Sequence, residues 1–331
     1  MVLGIKYLKL CYILLTSFSS FLINKLLCFL ELSFRLMKSS KKFLFGFALP
    51  CLFLSGCVHS GGGVAHPKGI IAFHERSLLY DSVAIMLIVV IPVIIMSFAF
   101  AIRYRDIGTN KSKYRPDWSH NTALELVWWG VPTLIIIALG VITWVTSHSL
   151  DPYKSIVSPS GKKPLVIEAV SLRWKWVFIY PNQQVATVNT ITIPKDRAVE
   201  FHLTSIAPMT SFVIPQLGGQ IYAMAGMQTK VNLIANKLTH GKPLDGRNNQ
   251  YNGAGFSWNH FKVNVVTEPE FDQWVADTKV NHPENLTTEV LAKLNAQVNM
   301  DYDFGTREYG AVKKDLYRCI IQSYHLPLAE N

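Results

Sequence analysis

The sequence predicts a mixed architecture: two transmembrane helices forming an antiparallel hairpin, then an all-β sandwich, then a small helical tail. Three observations carry that prediction. Half of the 331 residues are apolar, more than a soluble protein of this length needs. The excess is concentrated in two uncharged stretches. Beyond them, short runs of branched and aromatic residues alternate in the manner of strands.

The first stretch, SVAIMLIVVIPVIIMSFAFAI, runs 21 residues from 82 to 102, and LVWWGVPTLIIIALGVITWV runs 20 residues from Leu126. Each can cross a hydrocarbon core of about 30 Å as a helix, so spans are assigned to 82–102 and 126–147. Pro92 and Pro132 are compatible with that, because neighbouring helices satisfy the freed carbonyls. The net charge of +10 suggests nucleic acid, but its distribution excludes it. Residues 150–331 carry 18 Lys and Arg against 16 Asp and Glu. The excess lies in the leader and in the 103–125 connection, which holds Arg103, Arg105, Lys111, Lys113 and Arg115. The 57–81 segment before the first span offers only Lys68 and Arg76. By the positive-inside rule the connection is cytoplasmic and both chain ends are outside.

From Met37, MKSSKKFLFGFALPCLFLSGC has a basic start, an apolar stretch of about eleven residues and a small-residue ending, the three parts of a secretory signal. The ending LSGC resembles a bacterial lipobox, which implies cleavage before Cys57 and a lipid on that residue. Residues 1–56 are then leader, with 1–36 expected to reflect an over-extended start. Of the five cysteines only Cys57 and Cys319 remain in the mature chain, so a disulfide framework is not expected.

The linker 148–164 contains DPYKSIVSPSGKKP, after which PLVIEAVSLRWKWVFIYP, AVEFHLTS, KVNLIAN and FKVNVVT read as strands of a sandwich over 165–267. In AVEFHLTS, Val199, Phe201 and Leu203 share one face and Glu200, His202 and Thr204 the other. From residue 268, PEFDQWVADTKV and TTEVLAKLNAQV have helical spacing, giving a helical, aromatic-rich tail to 331.

Several segments together resemble subunit II of the haem-copper terminal oxidases, and within it the cytochrome o type ubiquinol oxidases. They are MLIVVIP, YRPDWSH with LELVWWGVPTLIII, RWKWVFIYP and, most specifically, SFVIPQLGGQIYAMAGMQTKVNLIAN; the resemblance covers roughly residues 66 to 320. It implies a cupredoxin-like sandwich on the periplasmic side of a bacterial inner membrane.

In the cytochrome c branch of that family, subunit II carries a dinuclear copper centre. Its ligands are one His before a Ser-Phe strand, then Cys, three residues, Cys, three residues, His, two residues, Met. Two bridging thiolates hold the soft copper ions together. Laid on this sequence, the pattern falls on Thr210, Asn248, Asn252, Phe256 and Asn259. None supplies the required ligand, and the absence of Cys between 164 and 314 excludes a blue-copper site as well. His240 and His260 lack a third ligand at a recognisable spacing, and His202 falls on a polar strand face. No metal or other cofactor is therefore expected in this chain.

The resemblance implies oxidation of ubiquinol and reduction of oxygen to water, with protons moved outward. Haems, copper and the quinol site are implied for subunit I, on which this chain would pack beside smaller membrane subunits. Trp174, Trp176, Phe178 and Tyr180 are candidates for that contact or for the sandwich core. Glu125, at the cytoplasmic start of the second span, matches a family position at the mouth of a proton path. Its plainer reading is a surface carboxylate paired with loop arginines. A free-standing envelope lipoprotein is the alternative function, with a cytochrome c oxidase subunit disfavoured by the missing ligands. Two spans plus a lipid exceed the anchoring a lipoprotein module needs.

Overall fold

The computed structural model describes residues 63–105, 119–297 and 306–325. The expected leader, the lipobox and Cys57 lie outside the described residues, as do Lys111, Lys113 and Arg115.

Helices α1 (Ile70–Arg103) and α2 (Thr122–Ser149) are long and apolar enough to cross a membrane. Both start earlier than the apolar stretches suggest. Residues 70–81, part of the segment assigned ahead of the first span, form the first three turns of α1. His74, Glu75, Arg76 and Asp81 lower the local hydropathy there, but nothing in the stretch breaks a helix. This added portion packs on the β domain. Ala72 is buried and donates its N–H to Leu217 O at 3.1 Å, Ile71 packs on the sandwich core, and Gly69 bridges Ala235. A Cβ on Gly69 would come within 2.6 Å of Ile234 O, so the junction accepts only glycine. At the other end of the connection, Asn121 caps α2 by accepting from Leu124 N at 3.1 Å, which places Glu125 in the first helical turn.

The domain that follows α2 is a two-sheet sandwich. One sheet has the order β12-β3-β2-β1-β5-β8 and the other β4-β10-β9-β6-β7. The first is built from β1 (Leu165–Leu172), β2 (Lys175–Tyr180), β3 (Val185–Val188), β5 (Ala198–Ser205), β8 (Thr229–Ile234) and β12 (Arg307–Tyr309). The second uses β4 (Thr190–Pro194), β6 (Thr210–Ile214), β7 (Gly218–Ala223), β9 (Leu244–Arg247) and β10 (His260–Val266). Most neighbours are antiparallel, but β1 pairs with β5, and β10 with β4, in parallel. Tyr180 pins the two sheets by donating to Thr192 O at 3.1 Å while accepting from Thr192 N at 2.9 Å.

All six residues of β2 are buried because its sheet is covered on both faces. Trp176, Phe178 and Tyr180 face the inter-sheet core; Val177 and Ile179 face a second apolar cluster under the C-terminal elements. Trp176, Phe178 and Tyr180 are therefore core side chains, the second of the two roles open to them from the sequence. The tail is also more than helical. Helices α3 (Glu268–Asn281), α4 (Thr288–Ala296) and α5 (Leu316–His325) are joined by the short pair β11 (Asn285–Leu286) and β13 (Ala311–Val312). The tail strand β12 becomes an edge of the six-stranded sheet, so the tail contributes to the sandwich as well as covering it. Lys175 ties the layers together, its Nζ donating to Leu294 O and Gln297 O at the end of α4.

Candidate functional site

The five positions at which copper ligands were sought gather at one end of the sandwich. Thr210 opens β6, Asn248 follows β9, Asn252 lies in the loop, Phe256 opens a 3-10 turn (Phe256–Trp258), and Asn259 precedes β10. Thr210 Oγ1 accepts from Ser171 Oγ at 3.0 Å and from Asn252 Nδ2 at 3.2 Å, and donates to Pro208 O at 3.0 Å. Asn248 Oδ1 accepts from Ser211 N, Ser211 Oγ and Gln250 N at 2.8–3.0 Å. Its Nδ2 donates to Gln250 O at 2.7 Å, and Ser211 Oγ accepts from Asn249 N at 2.6 Å. Side-chain amides and hydroxyls thus hold the loop by hydrogen bonds where a metal version would use coordination bonds.

Phe256 stands apart from this network, its ring 5.7 Å from that of Tyr251. Asn259 is fully buried, and both of its side-chain polar atoms lack a hydrogen-bond partner among the described residues. Over the loop lies Trp174, at the tip of the β1–β2 hairpin with φ +58°, donating Nε1 to Asn252 O at 3.4 Å. A Cβ on Gly255 would sit 2.1 Å from the Trp174 ring, so the indole fills the space that only glycine leaves.

This donor set does not fit a dinuclear copper centre, which needs two bridging thiolates and imidazoles. It offers one hydroxyl, three amides and a phenyl ring. The histidines considered separately have other surroundings. His202 Nε2 lies 2.7 Å from Glu200 Oε1, His240 occupies a left-handed turn position, and His260 is exposed opposite Arg247. Among the described residues no group of three or more His, Cys, Asp and Glu side chains could hold a metal ion. Asn248→Ala is expected to leave Ser211 N and Oγ without their acceptor, destabilising the loop by about 1–3 kcal/mol. A lower thermal midpoint of the intact protein, with the loop amides losing exchange protection first, checks this.

Glu125 forms a second locus, on α2. Its Oε1 lies 2.5 Å from His120 Nδ1, and His120 Nε2 is 3.3 Å from Thr122 Oγ1. The carboxylate is one-third exposed and the imidazole two-thirds exposed, so the pair opens toward solvent. Its described partner is thus an imidazole five residues upstream, and Arg115 of the loop lies outside the described residues. Along the same helix face, Leu126, Trp129, Gly130 and Thr133 line a shallow groove that begins at Glu125.

Ser171, Ser211 and His120 were missed as members of these sites. Ser171 and Ser211 belong to apparent strand sequences with no special spacing, and pair with the loop only through tertiary register. His120 had a signal in the WSHNTALE stretch, a polar cluster placed directly before a helix cap.

Two helices long and apolar enough to cross a membrane, followed by a two-sheet sandwich whose end loop offers amides and a hydroxyl in place of thiolates and imidazoles, make the outline of a subunit-II-type protein without the copper donor set. No protein-family profile matches the chain. It is 45% identical over 278 residues to cytochrome bo(3) ubiquinol oxidase subunit 2 of Pseudomonas aeruginosa, covering 83% of this chain and 79% of that one. Against ubiquinol oxidase subunit 2 of Acetobacter aceti the identity is 40% over 276 residues, covering 83% and 85%. The solved periplasmic domain of subunit II of cytochrome oxidase from Bradyrhizobium japonicum aligns with 36% of this chain and 96% of its own, at 20% identity and TM-score 0.34. The chain belongs to the family of ubiquinol oxidase subunit 2.

Proposed function

We propose that this chain serves its terminal quinol oxidase as a subunit that carries no electrons itself. It anchors to and covers the haem-bearing subunit I, on which ubiquinol is oxidised and oxygen is reduced to water while protons move outward. The observation that carries this reading is the replacement of every copper-ligand position by a side chain that cannot coordinate copper in that way. A soluble cytochrome then has no acceptor here. A quinol dissolved in the membrane can instead deliver electrons directly to the large subunit, whose haems and copper supply the redox chemistry.

The reading also sets the orientation. Arg103 and Arg105 follow the first span, which supports a cytoplasmic connection and an exterior domain on the periplasmic side of the inner membrane. A lipid on Cys57 would add a third anchor on that side. Glu125, beside His120 at the cytoplasmic end of α2, is then placed to take protons from water and pass them inward.

A surface on the exterior domain suits the large partner. Residues 205–229 and 248–259 contain no charged residue and no histidine. Met209, Tyr222, Met227 and Tyr251 are exposed within them. Depletion of charge with enrichment in Met and aromatics is the composition of an interface core. Met227→Lys together with Tyr251→Lys is expected to lower the haem recovered with a tagged chain at least about tenfold, by placing two charges in a desolvated contact. Val280→Lys, on exposed α3, should leave recovery unchanged. The reading itself is tested by the unsubstituted tagged chain: a haem-bearing, ubiquinol-oxidising complex is expected, and recovery of the chain without haem would contradict it.

A further inference from the structure

Glu168 lies on the outer face of β1, where the sheet passes from the apolar cluster under α5 to a polar surface. Val170 and Leu172, further along the same face, are buried against Leu316, Tyr317 and Ile320 of α5. Parallel register with β5 places His202 beside Glu168 on the other side, and antiparallel register places Ile179 opposite it on β2. Glu168 has no hydrogen-bond partner among the described residues, and the buried Tyr317 hydroxyl has none either.

We infer that Glu168 is a proton-operated latch for the C-terminal cap: neutral, it lets α5 seat on the sheet; ionised, it loosens α5. The groups around it are Asp315, Tyr317 and Arg318 at the start of α5, His202 and Glu200 on β5, and Lys230 on β8. Glu200 Oε1 is already engaged by His202 Nε2 and Lys230 Nζ, each at 2.7 Å, so that triad is satisfied within itself. Burial, and then the Asp315 carboxylate, push the Glu168 carboxyl up to about 7, against the pull of Arg318. Burial first, and the charge of Glu168 second, likewise push the Tyr317 hydroxyl up. An ionised Glu168 is therefore a second carboxylate beside the exposed Asp315, held itself at a half-buried position on the edge of the α5 contact.

The sign follows from linkage. A carboxyl raised in the docked state and ordinary in the undocked state favours docking when protonated. The contribution is complete below the ordinary carboxylate value near 4.5, is lost as pH rises toward 7, and is absent above it. The window covers mildly acidic to neutral conditions on the outer side of the membrane. The latch reaches the uncharged end of the domain, because Tyr324 near the end of α5 lies over Gly226. A Cβ there would come within 2.3 Å of the Tyr324 ring. Acidification would thus tighten the cap over the segment that carries Met227.

Hydrogen exchange of the α5 amides in the whole detergent-solubilised complex, corrected for intrinsic rates, tests the latch between pH 5 and 8. Protection is expected to fall about tenfold across that range, the full linkage effect being reduced by partial solvent exposure of Glu168. Glu168→Gln should hold α5 protected at every pH. Asp315→Asn, which tolerates the left-handed backbone at that position, should move the transition to lower pH. His202→Gln should leave the transition in place. Flat protection in the unsubstituted protein, a retained transition in Glu168→Gln, an unmoved midpoint in Asp315→Asn, or loss of the transition in His202→Gln would each overturn the assignment.

Discussion

Glu125→Gln is expected to slow ubiquinol oxidation by the assembled complex about tenfold or more while leaving its haem content unchanged. The substitution keeps the shape of the side chain and can keep a hydrogen bond to His120, which lies 2.5 Å away. It removes the only atom of the pair that can hold a proton as a carboxylic acid. Loss of a positioned proton-transfer group typically costs about 10²–10⁴-fold in the step it serves. Overall turnover falls less when another step shares rate control. Glu125→Ala should give at least the same loss. Single-turnover proton uptake by the complex reads the effect directly, and an undiminished uptake rate in a fully assembled variant would return Glu125 to a surface role.

Trp176→Ala is expected to destabilise the sandwich domain by about 3–5 kcal/mol, a large part of the stability of a typical domain. The indole is fully buried and meets three rings: Phe178 in a stacked arrangement at 6.2 Å, and Phe212 and Phe261 edge-on at 5.5 and 5.9 Å. Removing it opens a cavity between the two sheets, which a rigid ring cluster cannot collapse to fill. Trp176→Phe should cost far less. Its smaller ring leaves some space, but it also removes a buried indole N–H that has no partner among the described residues. Denaturant unfolding followed by fluorescence separates the two variants; equal losses would mean that the ring cluster is not the source of stability.

The two spans were legible because lipid imposes a length and a composition that little else in a sequence imitates. The loop at the end of the sandwich was legible by counting: the copper-ligand spacing, laid on the sequence, picks out Thr210, Asn248, Asn252, Phe256 and Asn259, which fall on that loop and at the ends of the strands beside it. The structure adds that Thr210 and Asn252 touch, and that Asn248 holds the strand beside them. What spacing could not supply was the set of partners brought in by register. Ser171 reaches Thr210 across 39 residues, and Ser211 reaches Asn248 across 37.

Other features were hidden by averaging or by brevity. Residues 70–81 mix His, Glu, Arg and Asp with apolar residues, so a hydropathy window ends the helix too soon. The tail strand Arg307–Tyr309 has only three residues, too few to show alternation, and it is a strand because β3 offers it an open edge. Burial of both faces of β2 could not be read from β2 alone. It required the second cover formed by α4 and α5, more than a hundred residues away.

Under the proposed function, electrons bypass this chain. Oxygen uptake by the complex purified through a tag on this subunit, supplied in turn with ubiquinol and with reduced cytochrome c, tests that most directly. Rapid uptake with ubiquinol and none above background with cytochrome c is the predicted result. Sustained uptake with cytochrome c as the sole donor would show that a redox centre operates in the exterior domain after all.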